Sequence, residues 1–376
     1  MQQDVLPASE LTVDLPQVVR GGLAASRVLH ANFARLPTPL KVNLCVTYRC
    51  QYRCKTCGIW RRRPTGELTT EELLLFVAAN RNVAWLDVTG GEVFLRDDLS
   101  ELFDAIAAQW RKLAILHFAT NGFLTDRIVR VTSRLRAGTA AQVIVTVSVD
   151  GDEALNDEIR CVRGGFGRQI ETFRALRQLP GVRTVFGMTL SRHNVGRVEQ
   201  TFLACQRACP PLGYEDFHIN VAQRSDHFYG NRDLPSFLAP EEDLRKALSA
   251  YRRRRGSPLT LSGWVESRYV RSLDRFLANR SSPMRCHALR SSCFVDPCGV
   301  VFPCITYSRP LGSLREASMS LTHLWKSAAG RDLQRQIWEG ECPQCWTACE
   351  AYPSILGNLV RKSPPTVSGR KCEWPG

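Results

Sequence analysis

Apolar and polar positions change period along residues 41–255. Apolar runs at 41–47, 84–89, 114–119, 143–149, 183–190 and 216–222 read as strands. Between and after them, stretches at 69–80, 97–111, 125–136, 166–179, 195–208 and 240–255 repeat their apolar residues with the helical period. The run Val143-Ile144-Val145-Thr146-Val147-Ser148-Val149 is the clearest buried-strand signal. Strands alternating with helices of this length build βαβ units and a parallel sheet. Six such units predict an α/β fold, an open partial barrel, whose functional residues gather at the carboxyl ends of the strands. Val18 to Phe33 reads as one earlier helix, broken by Pro37 and Pro39. The expected division is an N-terminal leader (1–40), a barrel core (41–240), a polar helical linker (241–280) and a small cysteine-rich α+β domain (281–376).

Composition adds little until the cysteines are considered. The 376 residues, 44% of them apolar, suffice for a sizeable core. No run of about 18 apolar residues predicts a membrane helix, and Met1-Gln2-Gln3-Asp4-Val5 does not open a signal peptide. A net charge of +14, with Arg61-Arg62-Arg63 and Arg252-Arg253-Arg254-Arg255, suits anionic partners. No basic stretch is interleaved with aromatics and no nucleic-acid fold motif appears, so nucleic acid is not the expected partner. Fifteen cysteines at metal-type spacings, in a chain this long, favour a reducing cytoplasm over a disulfide framework.

Cys50, Cys54 and Cys57 form a C-x3-C-x2-C run directly after the first strand. Three thiolates so close can wrap one face of a cubane iron–sulfur cluster and leave one iron open. A zinc loop needs a fourth ligand, which Gly58-Ile59-Trp60 does not supply. The run resembles the radical S-adenosylmethionine (SAM) superfamily. The resemblance implies a TIM-like (β/α)6 partial barrel and a [4Fe-4S] cluster on the three cysteines, with the open iron chelating SAM. It also implies reductive cleavage of SAM to a hydrogen-abstracting 5′-deoxyadenosyl radical, with an electron donor such as flavodoxin or ferredoxin. The residue before the third cysteine is usually aromatic in that family and is Thr56 here, so no adenine contact is assigned to it.

The second strand ends in Gly90-Gly91-Glu92. Two glycines let a ligand approach the backbone, and a carboxylate can receive an ammonium group. Alone this is a turn; beside the cysteine loop it matches the family's GGE motif, which implies that Gly90, Gly91 and Glu92 bind the SAM amino group. The same resemblance brings Asn121, of Thr120-Asn121-Gly122, close to SAM. It also turns Ser148, Asp150 and Arg160 toward the SAM carboxylate or ribose. Read without it, Asn121-Gly122 is a turn and Arg160 pairs at the surface with Asp157 or Glu158. The sixth strand leads to Asn220, Gln223 and His227, which are expected at the substrate end. Cys45, Cys161, Cys205 and Cys209 read as packing thiols.

A second array holds Cys286, Cys293, Cys298, Cys304, Cys342, Cys345, Cys349 and Cys372. Residues 296–304 alternate like a hairpin turned by Pro297-Cys298-Gly299, and Cys342-Pro343-Gln344-Cys345 is a C-x2-C knuckle that presents two thiolates to one metal site. The order resembles the twitch and SPASM auxiliary-cluster domains. It implies one auxiliary [4Fe-4S] cluster on Cys286, Cys304, Cys342 and Cys345. A second auxiliary cluster stays open: Cys349 and Cys372 remain, one cysteine of the SPASM run is missing, and Cys293 is a candidate replacement ligand. A zinc ribbon is the alternative. The expectation is a radical SAM enzyme acting on a small-molecule or natural-product substrate, because residues 1–40 are too few for a fused peptide-recognition domain. The alternative is a ribosomal-peptide modifier working with a separate recognition protein. A zinc-stabilised nucleic-acid-binding protein ranks third.

Overall fold

The computed structural model describes residues 15–258 and 260–359. After α1 (Leu15–His30) and β1 (Lys41–Cys45) come α2 (Thr70–Ala79), β2 (Trp85–Thr89), α3 (Leu99–Gln109), β3 (Ile115–Thr120), α4 (Thr125–Gly138) and β4 (Gln142–Ser148). Two helices, α5 (Glu153–Arg160) and α6 (Gly165–Arg177), precede β5 (Val182–Leu190), and α7 (Val198–Ala208) precedes β6 (Phe217–Val221). The chain continues with α8 (Glu241–Arg255), α9 (Leu261–Asn279), β7 (Ser292–Val295), β8 (Val300–Phe302), β9 (Gly312–Ser313), α10 (Leu321–Lys326), α11 (Ala328–Trp338) and α12 (Ala348–Gly357).

One sheet runs in the order β6-β5-β4-β3-β2-β1-β7-β8-β9. Every pair from β6 to β7 is parallel, while β8 and β9 return antiparallel. Register sorts the side chains, because neighbours in one row face the same way. Leu86, Leu116 and Val143 belong to one row and are fully buried in the core with Phe103 and Phe173 from the helices. Burying each such side chain is worth about 1.5–3 kcal/mol. The alternate row is polar in its first three strands, where Asn43 is in register with Asp87 and Asp87 with His117, and apolar in the next, at Ile144. That row faces inward, so the barrel encloses polar groups.

Residues 241–280, expected as a linker, are not a tether. Leu244, Leu248 and Tyr251 of α8 and Val270, Leu273 and Phe276 of α9 are buried in the main core. The Tyr251 hydroxyl donates to the Phe217 carbonyl of β6 at 2.5 Å. The cysteine-rich region also joins the barrel directly. β7 pairs with β1, and its hairpin partner β8 follows a turn in which Asp296 accepts from the Cys298 and Val300 amides at 2.9 and 2.8 Å.

Candidate functional site

The Cys50–Cys57 loop leaves β1 at its carboxyl end and is held from several sides. The Gly91 amide donates to the Thr47 carbonyl at 2.9 Å and the Glu92 amide to that of Arg49 at 2.8 Å. A Cβ on Gly91 would lie 2.1 Å from the Arg49 oxygen and 2.9 Å from Cys50 Cβ. The sequence suggested that Gly90-Gly91 clears space for a ligand; the space is taken by the backbone of the cysteine loop. From α5, the Ile159 carbonyl accepts from the Lys55 amide at 2.9 Å. From the segment after β6, Asn231 Nδ2 donates to the Thr56 carbonyl at 3.0 Å, and the Tyr229 carbonyl accepts from Gly58 at 2.9 Å.

Cys50, Cys54 and Cys57 are free thiols. Asn121 Nδ2 lies 4.0 Å from Cys50 Sγ and exchanges amide contacts with Gln51 at 3.2 and 3.3 Å. Burial pushes the Cys50 thiol up to about 11, Cys57 to about 12 and Cys54 higher still. Thiolates here need a cationic centre to hold them, which suits an iron–sulfur core. Among the described residues no three His, Cys, Asp or Glu side chains converge as one metal ion would require. A zinc site brings its sulfurs to about 3.8 Å from one another, whereas a cubane takes each thiolate on a different iron and spaces them more widely.

The expected SAM contacts gather around this loop. The buried Glu92 carboxylate accepts from Thr120 Oγ1 at 2.9 Å, the Asn121 amide at 2.7 Å and the Phe94 amide at 3.3 Å. It thereby fastens the ends of β2 and β3, and burial raises it to about 7. Ser148 ends β4, half-buried. Arg160 is buried and pairs with Asp150 at 2.8 Å. The surface pairing with Asp157 or Glu158 does not occur: Asp157 accepts from the Phe166 amide at 2.8 Å, and Glu158 pairs with Lys55 at 2.6 Å. Arg160 Nε is buried without a partner among the described residues, and its charge acts on the Cys54 thiol. An orphan N–H of a buried cation beside the cysteine loop fits a carboxylate ligand.

Cys286, Cys304, Cys342 and Cys345 line one small pocket with Tyr307 and Gln344. Cys304 and Cys345 share a hydrogen bond that lowers the Cys345 thiol and raises that of Cys304. Gln344 Nε2 donates to Cys342 Sγ at 3.5 Å. Cys293 does not join them: in register with Val42, it is buried in the helix-facing core. Cys349 opens α12 outside the cavity lining, and its carbonyl accepts from Lys41 Nζ. Cys372 lies outside the described residues. Cys205 and Cys209 pack in the core and Cys45 is buried, but Cys161, expected to pack, is exposed in a left-handed helix cap at φ 54°.

Between the two cysteine groups runs the segment 223–231. His227, expected at the substrate end, is buried and fixed to Cys304 and Ser308. Gln223 is buried with Nε2 unpartnered among the described residues, and Asn220 is half-buried in β6. Tyr229 and Asn231 were not singled out from the sequence; a Gly230-Asn231 pair after the last strand was the available signal.

Two family models match this chain. The Radical SAM superfamily model covers residues 44–205, and SPASM, an iron-sulfur cluster-binding domain, covers residues 286–346. The chain is 22% identical over 344 residues to the antilisterial bacteriocin subtilosin biosynthesis protein AlbA of Bacillus subtilis, covering 89% of this chain and 69% of AlbA. It is 27% identical over 343 residues to the PqqA peptide cyclase of Xanthomonas axonopodis pv. citri, covering 85% of each. The crystal structure of Streptococcus suis SuiB bound to its precursor peptide SuiA superposes with a TM-score of 0.59 at 13% identity, over 100% of this chain and 84% of SuiB, which shows a shared fold. Among the described residues no helix is long and apolar enough to cross a membrane. With the two models matched in chain order, one on each cysteine group, the chain belongs to the radical SAM superfamily and is an enzyme of it that carries a SPASM domain.

Proposed function

We propose that this enzyme modifies a peptide. The observation that carries the reading is the reach of the similarity: AlbA and the PqqA peptide cyclase align over 89% and 85% of this chain. The names of those relatives concern a bacteriocin and a peptide. The shortness of residues 1–40 does not favour a small metabolite, because peptide recognition can reside in a separate chain.

When bound, a [4Fe-4S] cluster with SAM supplies an electron-driven source of a hydrogen-abstracting carbon radical. Cys50, Cys54 and Cys57 supply the three thiolates for it. Gly90, Gly91, Glu92 and Asn121 shape the amino end of the SAM site, and Ser148, Asp150 and Arg160 its carboxylate and ribose side. The orphan Nε of Arg160 is the group that makes this assignment physical. Cys286, Cys304, Cys342 and Cys345 hold one auxiliary cluster. All four lie in the span matched by the SPASM model, which ends before Cys349. In this reading residues 41–240 are the barrel, 281–376 the auxiliary domain, and the intervening helices part of the barrel's wall. The free thiols suit a reducing cytoplasm.

The test is anaerobic reconstitution with SAM and dithionite, given the product of a short reading frame neighbouring the gene. Loss of two hydrogens from that peptide by mass spectrometry is the expected result. A preparation that forms 5′-deoxyadenosine, leaves such peptides intact and dehydrogenates a small metabolite would overturn the peptide reading.

A further inference from the structure

We propose that the outer surface of the Cys50–Cys57 loop is the docking face for an acidic one-electron carrier protein. The inference rests on the reading that SAM is cleaved reductively at that loop, so that one electron must arrive there for each cleavage.

Arg49, Arg53, Arg63, Arg163 and Arg192 are all exposed, and none forms an ion pair among the described residues. Three belong to the cysteine loop and its continuation, and Arg49 and Arg53 directly precede Cys50 and Cys54. The other two follow α5 and β5, near the loop. The Lys55 amide donates to the Ile159 carbonyl at 2.9 Å, four residues before the exposed Arg163 in the turn that follows α5. His193, next to Arg192, feels the charges of both Lys55 and Glu158. Arg53 is held over the Trp60 ring at 5.6 Å. The exposed carboxylates of this end are largely neutralised: Glu158 by Lys55 at 2.6 Å, Asp233 by Arg61 at 2.8 Å and Asp97 by Arg127 at 3.1 Å. Glu153 is the exposed carboxylate of these loops left without an ion pair among the described residues.

The result is a face with surplus positive charge on a chain of net charge +14. Such a field steers an anionic protein and sets the rate and salt dependence of its encounter more than a tight affinity. Weak, small interfaces are the habit of electron-transfer pairs. The surplus lies on the outside of the loop that carries the three thiols, so a partner docked there is one loop's thickness from them. A substrate bound within the barrel has no need of these side chains.

The test uses the anaerobically reconstituted holoenzyme and a purified flavodoxin as probe. Arg53→Glu/Arg163→Glu/Arg192→Glu is compared with a charge-matched control at the other end of the barrel, Arg81→Glu/Arg111→Glu/Arg207→Glu. The rim variant is expected to weaken flavodoxin binding by at least roughly tenfold and to lose 5′-deoxyadenosine formation driven by reduced flavodoxin, while dithionite-driven formation persists. The control variant is expected to bind as the parent does. Because the rim variant can misfold, binding to the parent enzyme is also followed from low to high salt, where it is expected to weaken steeply. Unchanged affinity in the rim variant, salt-independent binding by the parent, or equal weakening in the control would overturn the proposal. A parent enzyme that fails to cleave SAM with dithionite sinks the reading beneath it, while the binding measurements still decide the docking face.

Discussion

His227 Nε2 lies 3.0 Å from the carbonyl oxygen of Cys304, and its ring stacks on Phe302 at 4.1 Å between centroids. Burial lowers the imidazole to about 4, so at neutral pH it is uncharged. Nε2–H then donates to the carbonyl, and Nδ1 accepts from the Ser308 hydroxyl at 3.1 Å. The same segment reaches the other cysteine group through Asn231 and Tyr229. One stretch of chain therefore joins the two sites. His227→Ala is expected to leave a buried carbonyl unpaired and a void beside Phe302, costing about 2–4 kcal/mol. Thermal unfolding of the holoenzyme should show it, with His227→Asn recovering part. An unaltered melting temperature in the Ala variant would remove this joint from the account.

The cysteine assignments separate by iron content. One SAM-cleaving cluster and one auxiliary cluster require about eight irons per chain. Cys54→Ala is expected to abolish dithionite-dependent 5′-deoxyadenosine, and Cys345→Ala to leave about four irons. Cys293→Ala is expected to keep all eight, because that thiol is buried in the helix-facing core. Retention of full iron by Cys345→Ala, or its loss in Cys293→Ala, would reverse the two assignments. Gly91→Ala gives an independent check: its Cβ would meet the Arg49 oxygen at 2.1 Å, so the loop must shift and iron incorporation should fall.

Arg160 and Asp150 form a buried pair, so single substitutions confound stability with binding. Arg160→Met leaves Asp150 charged and unpaired and is expected to cost about 3–5 kcal/mol. Arg160→Met/Asp150→Asn removes both charges and should regain much of that loss. If Arg160 receives the SAM carboxylate, the double variant still binds SAM at least roughly tenfold more weakly, as equilibrium dialysis under anaerobic conditions would show. Parental SAM affinity in the double variant would leave Arg160 a packing residue.

The strands were legible because β-branched runs alternate with helical periods. The cysteine groups were legible because their ligands are close in sequence. What was not legible depended on distant partners. Gly90-Gly91 suggests room for a ligand, and nothing local says that the Thr47 and Arg49 carbonyls will press against them. Without the resemblance, Arg160 reads as a surface residue because Asp157 and Glu158 are its sequence neighbours, while its partner Asp150 lies across a turn that only α5 closes. That helix carries a local sign, Asp152 accepting from the Leu155 amide at 3.2 Å as its cap, which the strand-end motif overshadowed. In residues 241–280 the four arginines at the end of α8 outweighed the Leu244-Leu248-Tyr251 stripe that buries it.

Lys41 begins β1 fully buried, with Nζ 2.8 Å from Asp87 Oδ2 and 4.4 Å from the Trp85 ring centroid. Asp87 also accepts from Trp85 Nε1 at 2.9 Å and meets His117 Nδ1 at 3.3 Å. Burial alone would push the Asp87 carboxyl up; Lys41 and His117 overcome it and hold it well below the usual carboxylate range. The unfolded chain therefore takes up this proton before the folded one does. The pair's contribution is complete above the ordinary Asp value of about 3.9 and is lost as pH falls below it toward the folded value. Asp87→Asn is expected to flatten that part of the stability profile. At neutral pH it is expected to cost about 3–5 kcal/mol, because Lys41 stays buried without its counter-charge. Lys41→Met/Asp87→Leu should regain most of this, since paired apolar replacements relieve both desolvation penalties. Chemical unfolding at pH 7 and at acid pH decides it: an Asp87→Asn protein as stable as the parent at neutral pH, with the same acid sensitivity, would show that the pair contributes nothing to holding β1 and β2 together.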